Sequence, residues 1–151
     1  MIAPFAWPQR VYYQHTDAGG VVFHSNFLDF MENARTELLL SLGFDVHTLL
    51  HRHNTFFVLH SANLKFLRPA LLNDMLAITA QVTRATRARL VFTQLVKRND
   101  EVLVEAEITL ACTDPRTQKL IPVPDGIYRI FESSHRVAVP AQRVTEKESN
   151  A

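Results

Sequence analysis

The sequence predicts an α+β domain in which an antiparallel five-stranded sheet wraps around one long central helix. Three observations predict it. A single stretch, Phe27 to Leu42, repeats apolar residues at helical spacing. Several others alternate apolar and polar residues with the two-residue period of strands, and short turn signals join them. No internal repeat or low-complexity run points to a repeat architecture.

In chain order, Arg10 to His15 reads as the first strand, with Val11 and Tyr13 on one side. The turn Thr16-Asp17-Ala18-Gly19-Gly20 follows, its glycines allowing a sharp bend and close approach of a ligand. The helix is expected to start at Ser25 or Asn26, both good caps, with Asp29 in its first turn and Gly43 as its stop. Its core stripe is Phe27, Phe30, Met31, Ala34, Leu38 and Leu42. At about 17 residues it would be roughly 25 Å long, enough to cross a small domain. Asp45 to His51 adds a helical turn or two. Thr55 to Leu67 is a strand with Phe56, Val58, Ala62, Leu64 and Phe66 on one face, ended by Pro69. Met75 to Thr83, Leu90 to Lys97 and Val102 to Cys112 complete the sheet, the loop Arg98 to Glu101 joining the last two. Asp125 to Phe131 is a short closing helix, and residues 134–151 read as a loosely held tail after a domain of residues 1–133.

The chemistry concentrates between Asp17 and the helix start. A carboxylate there would face unpaired backbone N–H groups, a base or nucleophile beside an oxyanion site. Taken alone, Asp before Gly is turn chemistry more often than catalysis. The run RVYYQHTDAGGVVFHSNFLDFMENARTELL nevertheless resembles the signature of the 4-hydroxybenzoyl-CoA thioesterase family of hotdog-fold proteins. It is most similar to the branch associated with the Tol-Pal cell-envelope system, and the likeness extends over residues 5 to 131. The resemblance implies a hotdog fold and a thioester hydrolase. Asp17 would be the catalytic carboxylate, attacking the thioester carbonyl or activating water. The His24 backbone N–H, with that of Ser25, would polarise the carbonyl oxygen. The His24 side chain and Tyr13 would position the acyl group or Asp17. Gly19, Gly20, Ser25 and Phe27 would contact substrate. Gln14-His15 and Phe23 depart from the branch, which bears on substrate preference.

Arg84, Arg87, Arg89, Lys97 and Arg98 fall in one stretch without an acid. The first three read either as a solvated sheet edge or, by the resemblance, as the CoA-phosphate site. His47, His51 and His53 read as solvent-exposed side chains and not as a metal site. His60 reads as bonded within the domain or lining the acyl pocket. No metal or redox cofactor is expected, because a thioester is already an activated acyl group.

A net charge of +1 argues against general nucleic-acid binding, and no apolar run is long enough for a membrane span. Absence of a signal-peptide pattern and a single cysteine, Cys112, fit a cytoplasmic protein. Acyl-CoA is the expected partner, with acyl carrier protein as the alternative thioester carrier. The resemblance also implies a homo-oligomer, a dimer that joins its sheets and pairs again into a tetramer. The alternative of another class is a non-catalytic acyl-CoA or acyl-carrier-protein binding module of an envelope complex, which would have no need of Asp17.

Overall fold

A computed structural model describes residues 5–132. The expected tail, residues 134–151, lies outside the described residues. The strands are β1 (Phe5–Arg10), β2 (Phe56–Phe66), β3 (Met75–Ala85), β4 (Arg89–Arg98), β5 (Glu101–Thr113) and β6 (Leu120–Ile121). They form one antiparallel sheet in the order β1-β3-β4-β5-β2, and the two-residue β6 adds to β5 beyond the five strands expected. The helices are α1 (His24–Ser41), α2 (Val46–Arg52) and α3 (residues 125–132). One long helix lies on an antiparallel sheet, the hotdog arrangement.

The first strand begins and ends earlier than its alternation suggested. Val11 is fully buried and exchanges backbone hydrogen bonds with Asn73 and Asp74 just before β3. Tyr13–His15 is instead a 3₁₀ turn, held because the His15 Nδ1 accepts the Tyr12 N–H at 2.9 Å. Hydrogen bonding alternates along a strand, so the inward bonds of Val11 leave Pro8 with its nitrogen facing away from β3.

Helix α1 buries Phe27, Phe30, Met31, Ala34, Arg35 and Leu39. Leu42, expected in the stripe, is exposed, while Arg35 is buried. The arginine is accommodated because Nη1 donates to Gln94 Oε1 at 2.9 Å. Gln94 Nε2 in turn donates to the carbonyls of Met31 and Thr79, both at 3.1 Å. Burial pushes the Arg35 guanidinium below its ordinary pKa, and Glu32 opposes that shift. Where Gln94 takes the Thr79 carbonyl, the Thr79 hydroxyl accepts the Leu95 N–H at 2.8 Å. The helix ends as expected at Gly43, whose φ is 91°. Gly43 N–H bonds Leu40 O and Phe44 N–H bonds Leu39 O, the paired bonds of a Schellman stop.

Strand β2 departs from its predicted facing. A register shift between Leu59 and Ser61 turns the strand over. Phe57 and Leu59 therefore join Ala62, Leu64 and Phe66 on the helix side, opposite Cys112, Leu110, Ile108, Ala106 and Val104. Phe56 and Val58, expected with them, lie on the other face. Among the described residues β2 is a sheet edge, and Leu59 and Phe66 remain 53% and 54% exposed.

Candidate active site

The Asp17 loop is built by its own backbone. Asp17 N–H donates to Val21 O, and Gly20 N–H returns to Asp17 O at 3.0 Å. Gly20 has a φ of 80°, which its missing Cβ permits. Asp17 Oδ1 accepts the Gly19 N–H at 2.8 Å, and a Cβ on Gly19 would come within 3.2 Å of that oxygen. The carboxylate is thus held by one bond and otherwise exposed. A bridge from Thr16 to Val22 closes the loop on itself, and one from Val21 to Leu71 fastens it to the segment between β2 and β3.

The helix start differs from expectation in a way that matters for chemistry. The cap is Phe23, which offers no side-chain acceptor. Ser25 and Asn26, the expected caps, lie inside the first turn, and Asn26 Nδ2 donates instead to His15 O at 2.8 Å. Asn26 N–H bonds Phe23 O, whereas the N–H groups of His24 and Ser25 have no hydrogen-bond partner among the described residues. Two free donors carrying the positive end of an 18-residue helix dipole therefore stand at the loop.

Asp17, His24 and Phe27 line one cavity of about 390 Å³. Phe66, Leu67, Arg68 and Pro69 close it from the end of β2. The His24 ring lies 4.2 Å from Phe23 and 6.5 Å from Phe66, and Phe27 lies 5.9 Å from Phe66. These four β2-end residues were not singled out from sequence. From sequence Phe66 signalled a strand face and Pro69 a strand end, neither of them the site; the bridge that brings this segment under the Asp17 loop joins Val21 to Leu71, a long-range pairing with no local signature.

Other expected site residues lie elsewhere. Tyr13 is 83% exposed and does not line the cavity. Gln14 and His15 line a separate polar cleft of about 330 Å³ with Asn26 and Asp29. His60 is exposed at the β2 bulge and does not line the Asp17 cavity. Arg84, Arg87 and Arg89 sit at the β3–β4 turn, at the opposite end of the sheet from the Asp17 loop. Ten steps of β3 separate the two ends, about 30 Å. Arg87 is engaged there, pairing with Asp125 at 2.7 Å and lying 4.3 Å over the Tyr128 ring. Arg84 and Arg89 are exposed and form no ion pair among the described residues. The His47 and His51 rings lie 4.4 Å apart on α2. Among the described residues no group of three or more His, Cys, Asp or Glu is placed to hold a metal ion.

A carboxylate and an uncapped helix start lining one cavity, on a helix cradled by an antiparallel sheet, fit a hotdog thioesterase scaffold. Residues 19–105 match the thioesterase superfamily, and the chain belongs to that family. It is 40% identical over 129 residues to the acyl-CoA thioester hydrolase YbgC of Escherichia coli O157:H7, covering 85% of this chain and 96% of that one. The acyl-CoA thioesterase YbgC of Haemophilus influenzae is 37% identical, with 84% and 93% covered. Among solved structures, a probable thioesterase from Bartonella henselae superposes with a TM-score of 0.77 at 30% identity, covering 81% of this chain and all of that one.

Proposed function

We propose that the protein hydrolyses acyl-CoA thioesters to a free acid and CoA. The observation that carries this reading is that Asp17 and His24, the first residue of a helix start with free N–H groups, line one partly apolar cavity. A thioester carbonyl entering it would place its oxygen on the helix N-terminus. Asp17 would then attack the carbonyl carbon, forming an anhydride that water cleaves, or take a proton from a water that attacks directly. Either way the oxyanion is held by backbone donors and CoA leaves as the thiolate, which accepts a proton. The relatives named YbgC, acyl-CoA hydrolases, support the substrate class. The reading takes the protein to act in the cytoplasm, with the Tol-Pal association implied by the resemblance. Among the described residues no helix is long and apolar enough to cross a membrane.

The test is steady-state hydrolysis by Asp17→Asn. The amide oxygen can still accept the Gly19 N–H, so the loop should persist while the charge is lost. We expect kcat to fall by at least about 100-fold with the far-ultraviolet circular dichroism preserved. Hydrolysis by the folded variant at the wild-type rate would overturn the assignment of Asp17.

The same reading includes a homo-oligomer. The arginines expected to meet the CoA phosphates lie at the end of β3 away from the Asp17 loop, a strand of about 30 Å, so they would reach a bound nucleotide only from a second copy. The exposed β2 edge supplies a place for that copy to pair.

A further inference from the structure

We infer that Arg68 receives an anionic group of the thioester substrate, a phosphate of CoA or a carboxylate on the acyl chain, and so makes charge a criterion of selection at the Asp17 cavity. This rests on the acyl-CoA reading above and assigns a residue that it leaves without a role.

Among the described residues, Arg68 is the one arginine or lysine lining the cavity that holds Asp17. Its root is fixed: its N–H and that of Leu67 both donate to Leu103 O, at 3.1 and 2.8 Å. Its Nε stands 3.4 Å from Glu101 Oε2. Glu101 is shared between two arginines, because its Oε1 accepts from Arg98 Nη2 at 2.6 Å. Arg98 is itself shared with Asp74, at 2.7 Å. Among the described residues, Arg68 therefore keeps both Nη groups without a hydrogen bond, on a side chain that is 63% exposed. Two parallel N–H donors on a planar fork are the geometry that a carboxylate or phosphate accepts.

The local charges give the inference its direction. Arg68 and Arg98 pair with Glu101 and Asp74, and Asp17 forms no ion pair among the described residues. An anionic group brought beside Asp17 is repelled unless a directed cation receives it. Arg68 fills that role in the chain that carries Asp17, whereas Arg84, Arg87 and Arg89 lie at the far end of the sheet.

The experiment compares wild type, Arg68→Gln and Arg68→Lys on four thioesters: butyryl-CoA, succinyl-CoA and the N-acetylcysteamine thioesters of both acids. Butyryl-N-acetylcysteamine carries no anion and is the reference. Relative to it, we expect kcat/KM of Arg68→Gln on anionic substrates to fall about tenfold, chiefly through KM, with a shallower salt dependence and partial rescue by lysine. A fall on both CoA thioesters assigns the phosphate, and a fall on both succinyl thioesters assigns the carboxylate. Equal losses on all four substrates, or no loss, overturn the inference. Should the wild type hydrolyse none of them, the acyl-CoA reading fails by itself, and calorimetric titration of both proteins with the thioethers S-butyl-CoA and S-(3-carboxypropyl)-CoA still decides. There, weaker binding of either by Arg68→Gln supports the role, and equal Kd values for both reject it.

Discussion

At the start of α1 the N–H of His24 and the side chain of His24 can be separated by substitution. His24→Ala keeps the backbone donor, so its loss should be modest and appear mainly in KM. His24→Pro removes the donor at the first helical position, the one place where proline fits a helix. Phe23 already has φ −68° and ψ 137°, an extended conformation that a following proline accepts. We therefore expect His24→Pro to fold with near-normal ellipticity and to lose about 100-fold or more in kcat, the usual loss for one oxyanion donor. Equal kcat in the alanine and proline variants would show that this N–H takes no part. The candidate site's loop and helix start were legible in the sequence because a carboxylate, two glycines and a helix start lie within eight residues. The identity of the cap was not. Ser25 and Asn26 are good caps by type, but the His15 carbonyl takes the Asn26 amide, and an uncapped start is what leaves the donors free.

Among the elements, α1 and β4 are joined by a polar link where the pattern promised apolar packing. Gln94 is fully buried, and removing it leaves the Arg35 guanidinium buried without its acceptor. Gln94→Leu should cost about 3 kcal/mol in urea unfolding. Arg35→Met in the same chain should recover much of that, because the pair is then replaced by packing; additive losses in the double-mutant cycle would contradict the link. At the other end of α1, Gly43→Ala meets no neighbour within 4 Å yet must adopt a φ near 91°. It should lower stability by about 1 kcal/mol and leave KM untouched. The glycine stop was readable from the sequence, since a positive φ after a helix is a local requirement. The β2 bulge was not: apolar residues occur on both sides of Leu59, so alternation alone does not say where the strand turns over.

For the whole molecule, the β3-β4-β5 succession followed from alternation and short turns, while the pairing of β1 with β3 and of β2 with β5, like the meeting of loop and β2 end, depended on contacts distant in sequence. Assembly belongs to this scale. We expect wild type to scatter light as a dimer or larger at micromolar concentration, and Leu59→Lys, on the exposed helix side of β2, to shift it toward the monomer with loss of activity. A fully active monomer would remove the need for a second copy. The two borders of the sheet are not equivalent, however. Along β1 the outward-facing nitrogen at Pro8 carries no hydrogen, so an incoming strand finds a gap in the row of donors. A sheet that could grow from both borders would polymerise without limit, whereas one with a single receptive border is used up when two copies meet across it. If copies pair through sheet edges, proline at position 8 would act as a chain terminator, favouring a particle of finite size over a fibre.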